Sequence, residues 1–238
     1  DFHMGISNDL CSEKYKISRE DQDRYAAESY RRTLAAINAG KFKDEIMPVE
    51  IPQRKGDAVL FEQDECPQET SYEILAKMSP AFQKNGKATA GNASIISDGA
   101  AAVVVMSKDK ADELGCEILA TIGAQASAGL DMKYVLVAPI LTIPKVLQKE
   151  GISQDEIDLF EINEAFSGST VAVLRELNLD PAKVNVNGGS VALGHPIGAS
   201  GCRVLVTLLN EMIKQNKKTG LASLCLGGGE AVAMIVKR

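Results

Sequence analysis

The sequence predicts an α/β layered fold with a mixed sheet, preceded by a loop-rich α+β excursion. Three observations predict it. In the second half of the chain, apolar runs of strand length alternate with helical patterns. The last two apolar runs, residues 221–226 and 231–236, are joined by Gly227-Gly228-Gly229, as two strands turning back on each other would be. The stretch from Phe42 to Lys87 is broken by Pro48, Pro52, Pro67 and Pro80 and holds only short strand-like pieces such as Ala58-Val59-Leu60-Phe61.

The elements follow in order. Cys11 lies in a segment compatible with helix. Ser18 with Asp21 forms a capping box, and Ala26, Tyr30, Leu34 and Ile37 recur on one face of a helix from about Ser18 to Ala39, with Gly40 as its stop. From Ala88 the chain turns to small residues. The continuous run Asp98–Met106 reads as a strand buried on both faces, and a short helix, Ser107 to Leu114, ends at Gly115. Alternation over Ile118–Ala124 predicts a strand, and Pro139–Lys149 predicts a helix entered through proline. Ser153 and Glu156 cap another turn. The strand 158–162 leads into a helix near Glu164–Leu177, residues 184–186 are strand-like, and a Gly-rich turn opens a helix over Gly198–Lys214.

Composition narrows the function. Over 238 residues, 45% are hydrophobic and 24% charged, which argues against disorder, and no apolar run reaches the length of a membrane span. A net charge of −6 argues against nucleic-acid or anionic-lipid partners. Five cysteines (11, 66, 116, 202, 225) without a CxxC predict neither a disulfide framework nor a zinc site, and fit a reducing compartment; the cytoplasm is the expected setting, with the mitochondrion as the alternative. The opening Asp1-Phe2-His3-Met4-Gly5 has no initiator Met and no leader pattern, so it reads as other than a natural start.

Chemistry is concentrated in three places. Five glycines flank His195 between Gly188 and Gly201, and Pro196 stiffens the exit, so an imidazole is fixed at a helix entrance; a structural histidine in a tight turn is the alternative. The spacing is not that of a nucleotide-binding loop. Cys225 precedes the triple glycine, where nearby amides and an imidazole would tune a thiol for acid/base or nucleophilic work; the alternative is a small buried hydrophobe. Asn163-Glu164 stand where a strand becomes a helix, the usual place for ligands of open α/β sheets; Asn163 there holds a water or oxyanion oriented by Glu164, or else caps the helix.

Taken together, His3-Met4-Gly5, Ala90-Gly91-Asn92-Ala93-Ser94, Asn163-Glu164-Ala165-Phe166, Gly194-His195-Pro196 and Cys225-Leu226-Gly227-Gly228-Gly229 stand in the order and spacing of thiolases. The chain resembles the biosynthetic, acetoacetyl-CoA type, because that type carries His-Met-Gly at the position of His3-Met4-Gly5. The resemblance implies that His195 activates a nucleophilic cysteine and helps form an oxyanion hole, that Asn163 holds a water completing that hole, and that Cys225 carries the α-proton. It further implies that the Gly227 amide serves a second oxyanion hole and that Ser94 contacts pantetheine. His3 and Met4 would line the acyl end, with Ala165 and Phe166 beside the substrate. The substrates implied are acetyl-CoA and acetoacetyl-CoA, the coenzyme A thioester being the only cofactor-like molecule, and the assembly a homodimer or homotetramer.

One departure is decisive. The acyl-accepting cysteine of thiolases lies well before His-Met-Gly, and neither Cys11, Cys66, Cys116 nor Cys202 has that context. The expectation is a thiolase without its first half-domain and inactive alone, with 1–96 the rest of a loop domain, 97–116 the last strand and helix of the first half-domain, and 117–238 the second half-domain. A degradative 3-ketoacyl-CoA thiolase and a non-catalytic CoA-binding scaffold are the alternatives. A ketoacyl synthase fits less well, since it uses two late histidines and His195 is the only one here.

Overall fold

A computed structural model describes residues 3–238, so Asp1 and Phe2 of the opening segment lie outside the described residues. Its centre is the expected hairpin. Strand β5 (Thr219–Leu226) pairs antiparallel with β6 (Glu230–Lys237), Leu221 opposite Ile235 and Cys225 opposite Ala231. The turn requires glycine: Gly229 has φ +92°, and a Cβ there would lie 2.4 Å from the Leu130 carbonyl oxygen. Strand β3 (Thr121–Gly129) adds antiparallel to β6, with an irregularity between Ile122 and Gln125, and β4 (Leu159–Ile162) adds parallel to β5. The order β3-β6-β5-β4 is a mixed sheet, as the sequence predicts.

Alternation along the strands dictates the layers. On one face Phe160, Ile162, Leu221 and Ile235 pack against Ile143, Val146 and Leu147 of α5 (Pro139–Glu150) and Val173 of α6 (Ser167–Glu176). On the other, Leu159, Ala222 and Val236 pack against Val204, Leu208 and Met212 of α8 (Ser200–Lys214). Each large side chain removed from water contributes roughly 1.5–3 kcal/mol, so the two faces together hold the sheet between its helices.

The amino-terminal part is helical and then irregular. Helix α1 (Met4–Lys14) is followed by α2 (Arg19–Asn38), whose start is the expected capping box of Ser18 and Asp21. Helix α1 is unusual in burying polar residues: Asn8 Nδ2 donates to Gln22 Oε1 (3.0 Å), and Asp9 accepts from the amides of Lys87 and Ala88. The excursion after Phe42 holds the exposed two-stranded pair β1 (Val49–Ile51) and β2 (Val59–Phe61) and one helical turn, α3 (Tyr72–Leu75).

Three expectations need correction. Residues 98–106 do not form a strand: Val104 is 86% exposed and Val105 66%. A strand needs a neighbour for its backbone N–H and C=O groups, and among the described residues none lies alongside. The strand expected at Ile118–Ala124 forms at Thr121–Gly129 instead. Residues 184–186 make only isolated bridges, Phe160 to Val184 and Val186 to Gly188. The helix after Ser107 forms as expected, α4 (Lys108–Leu114), stopped by Gly115 in the left-handed region.

Candidate active site

Parallel pairing of β4 and β5 brings their carboxyl ends to one edge of the sheet. Ile162 pairs with Ser223, and the next amide, that of Asn163, donates to the Ser223 carbonyl (3.0 Å), two residues before Cys225. Asn163 is therefore pinned by its backbone at the edge where open α/β sheets hold ligands. His195 is delivered to the same place from the glycine-rich turn. One turn of helix, α7 (Ser190–Leu193), runs into Gly194, whose φ of +100° favours glycine and where a Cβ would lie 2.1 Å from Ser97 Oγ. The His195 amide then donates to the Ile95 carbonyl (2.8 Å).

The two side chains touch. Asn163 Nδ2 lies 3.4 Å from His195 Nε2, and His195 Nδ1 lies 2.5 Å from Ser200 Oγ at the start of α8. Burial, reinforced by the positive charge of Arg203, holds the imidazole below the ordinary histidine range. It is neutral at neutral pH and suited to act as a base. Asn163 does not cap α6, where Phe166 takes the N-cap position without a side-chain bond. Glu164 does not orient Asn163 either. It is buried and accepts from Tyr25 Oη (2.8 Å), Ser29 Oγ (2.7 Å), Asn185 Nδ2 (3.1 Å) and the Val191 amide (3.2 Å), which ties α2 and α7 to the edge.

Cys225 stands next to last in β5 and packs against the cluster containing Cys11, Ala165 and Phe166. Its thiol is set by burial, which pushes it up to about 11, rather than by the neighbouring dipoles and imidazole that the sequence suggested. Such a thiol is protonated at neutral pH, and its thiolate is a strong base. Gly227 follows at the edge with open space around its Cα.

The small-residue segment forms a wall of the site. The Ser94 amide donates to the Ala165 carbonyl (3.1 Å), Ala93 bridges to Phe166, and Ile96 bridges to His195, so residues 93–96 lie across both motifs. His3 caps α1, its Nδ1 accepting from the Gly5 amide, and stacks on Phe82 at 4.5 Å; Phe82 meets Phe166 edge-on at 6.0 Å. Met4 follows, 40% exposed. An open cleft of about 430 Å³ lies alongside, lined by Ser97–Ala101 and Pro196–Ala199. Sequence reasoning did not find Phe82, Ser190, Ser200 or Arg203. Only Ser200 left a signal, as a hydroxyl residue one turn beyond the histidine.

Comparison with known proteins gives this arrangement a lineage. The family described as thiolase, C-terminal domain, matches residues 116–238, and that described as thiolase, N-terminal domain, matches residues 1–109. This chain belongs to the thiolase family. The acetyl-CoA acetyltransferase of Pseudomonas aeruginosa is 53% identical over all of the chain and 61% of its own length, and that of Allochromatium vinosum 52% identical over all of the chain and 60% of its own. The thiolase chain thus spans about 60% of the length of these relatives. Among solved structures, the Bacillus anthracis acetyl-CoA acetyltransferase superposes with a TM-score of 0.97 at 44% identity, covering 99% of this chain and 60% of its own. Human mitochondrial 3-ketoacyl-CoA thiolase follows with 0.91 at 40%, covering 98% and 59%. Among the described residues of this thiolase chain, no three His, Cys, Asp or Glu side chains are grouped to hold a metal ion, and no helix is long and apolar enough to cross a membrane.

Proposed function

We propose that this chain supplies the enolate-forming part of a biosynthetic thiolase, which condenses two acetyl-CoA to acetoacetyl-CoA and CoA and runs thiolysis in reverse. The observation that carries the reading is the contact between Asn163 Nδ2 and His195 Nε2 at the carboxyl edge where Cys225 stands next to last in its strand.

Each group has a step. Cys225 first gives its proton to the CoA thiolate released as the acyl-enzyme forms, and the Cys225 thiolate so produced takes a proton from the methyl group of a second acetyl-CoA; the burial that raises its pKa makes that thiolate strongly basic. The negative charge moves to the thioester oxygen, which accepts from a water held by Asn163 and from His195 Nε2, protonated at this stage because the imidazole has already taken the proton of the nucleophilic cysteine. The enolate carbon attacks the carbonyl of an acyl-enzyme thioester, the C–C bond forms, and the enzyme thiolate leaves. The Gly227 amide serves the oxygen of that second carbonyl. Ser94 faces pantetheine, and His3, Met4, Ala165 and Phe166 border the acyl end. The coenzyme A thioester is the substrate, and the chemistry uses no further cofactor. The acyl-accepting thiol belongs, in this reading, to residues outside these 238: none of the chain's other cysteines has the sequence context of that nucleophile, and Cys11 is moreover fully buried with its thiol pushed up to about 12. The full-length protein works as a homodimer or homotetramer in the cytoplasm.

The test is thiolysis of acetoacetyl-CoA by the full-length protein. His195→Ala and Asn163→Ala should each lower turnover by roughly two to four orders of magnitude while CoA still binds; near-normal turnover would sink the assignment. The likeness to human 3-ketoacyl-CoA thiolase supports a second reading, activity on longer acyl chains, which a chain-length series in the same assay separates.

A further inference from the structure

The side chains behind Asn163 form an ordered relay that neither the motifs nor the catalytic reading accounts for. Arg203, on α8, donates through Nη2 to Ser190 Oγ (3.1 Å), while its Nη1 faces Glu161 Oε2 at 3.5 Å. Ser190, fully buried on α7, lies 2.5 Å from Asn163 Oδ1. Donor arithmetic orders the whole chain of contacts. A guanidinium only donates, so Ser190 Oγ must accept from it and give its single proton forward. Whatever atom of Asn163 receives that proton must be an acceptor, which places Oδ1 at Ser190 and Nδ2 at His195. An amide N–H facing Nε2 requires a lone pair there, so the ring proton of neutral His195 sits on Nδ1. That proton goes to Ser200 Oγ, and the Ser200 hydroxyl donates on to the Pro196 carbonyl (3.0 Å). From Arg203 Nη2 to the Pro196 carbonyl, the linking donors find acceptors only in this one direction.

We propose that Ser190 and Arg203 are positioning residues that, through Asn163, fix His195 as the Nδ1–H tautomer with its Nε2 lone pair turned toward the site. Without Ser190 the two ends of the Asn163 amide are no longer distinguished. A flipped amide presents Oδ1 to the ring and favours a proton on Nε2, the tautomer unable to act as a base there. The value of the relay to catalysis rests on the acyl-transfer reading above, whereas its geometry does not.

The test therefore reads the tautomer rather than turnover, on this 238-residue chain. The sequence has only His3 and His195, so a ¹⁵N-histidine spectrum contains two imidazoles, which a His3→Gln variant assigns. Above the His195 titration, the wild-type chain should show Nε2 unprotonated and Nδ1 protonated. Ser190→Ala should move the Nε2 resonance toward the protonated range, and Ser190→Thr, which keeps the hydroxyl, should restore the wild-type pattern. Should Ser190→Ala not fold, Arg203→Lys keeps the charge beside Glu161 but cannot span both partners, and should shift Nε2 the same way. A wild-type His195 protonated on Nε2, or a wild-type pattern in the folded variants, would overturn the proposal. A failed turnover assay would leave it standing, which separates it from the functional reading.

Discussion

Residues 231–236 and residues 100–106 are both unbroken apolar runs of alanine, methionine and β-branched residues, and they have opposite fates. The first lies in β6 between β3 and β5, with Ala231 and Ile235 fully buried. The second follows Pro196 and the glycine-rich turn out of the site and leaves Val103–Met106 on the surface. Intrinsic β-propensity is nearly the same for the two. What differs is the backbone: β6 has a ladder on each side, and 100–106 has none among the described residues, so strand formation here is decided by neighbours rather than by side chains.

This contrast can be broken in two ways, taken from the larger effect to the smaller. Amide hydrogen exchange should differ most, with β6 opening only near the full unfolding free energy, roughly 5 kcal/mol or more, and residues 101–106 exchanging with little protection. Equal protection in the two segments would show a partner for 100–106 that the described residues do not provide. Substitution should follow the same order in urea denaturation. Ile235→Asp buries an unpaired carboxyl against Leu221 and should cost about 4 kcal/mol or more, whereas Val104→Asp should stay within about 0.5 kcal/mol. Comparable losses would mean that the exposed run is packed after all.

The same contrast explains how much was legible in the sequence. Rules that act over a few residues held: the Ser18–Asp21 capping box, the glycine stops after Asn38 and Leu114, the proline entrance at Pro139 and the Gly-rich hairpin all form. Asn163, His195 and Cys225 were also legible, because each sits at an element boundary marked by residues with special backbone demands. What failed depends on tertiary partners. The buried polar face of α1 has no hydrophobic period to betray it, since Asn8, Asp9 and Ser12 are paired with groups from Gln22 to Ala88. Ser190 and Arg203 carry no local pattern either; their role exists only once α7 and α8 stand beside the end of β4. Glu164 shows the reverse error, a residue of the right motif whose four partners make it a clamp instead of a site residue.

In the proposed reaction, the carboxyl edge of the sheet removes a proton from acetyl-CoA, with Cys225 as the carrier and Asn163 and His195 holding the enolate oxygen. Washout of methyl protons from acetyl-CoA in deuterated water, followed by NMR with the full-length protein, tests it most directly. Exchange should proceed with the wild-type protein and fall by orders of magnitude in Cys225→Ala and in Asn163→Ala. Undiminished exchange in Cys225→Ala would show that a group other than Cys225 carries the proton.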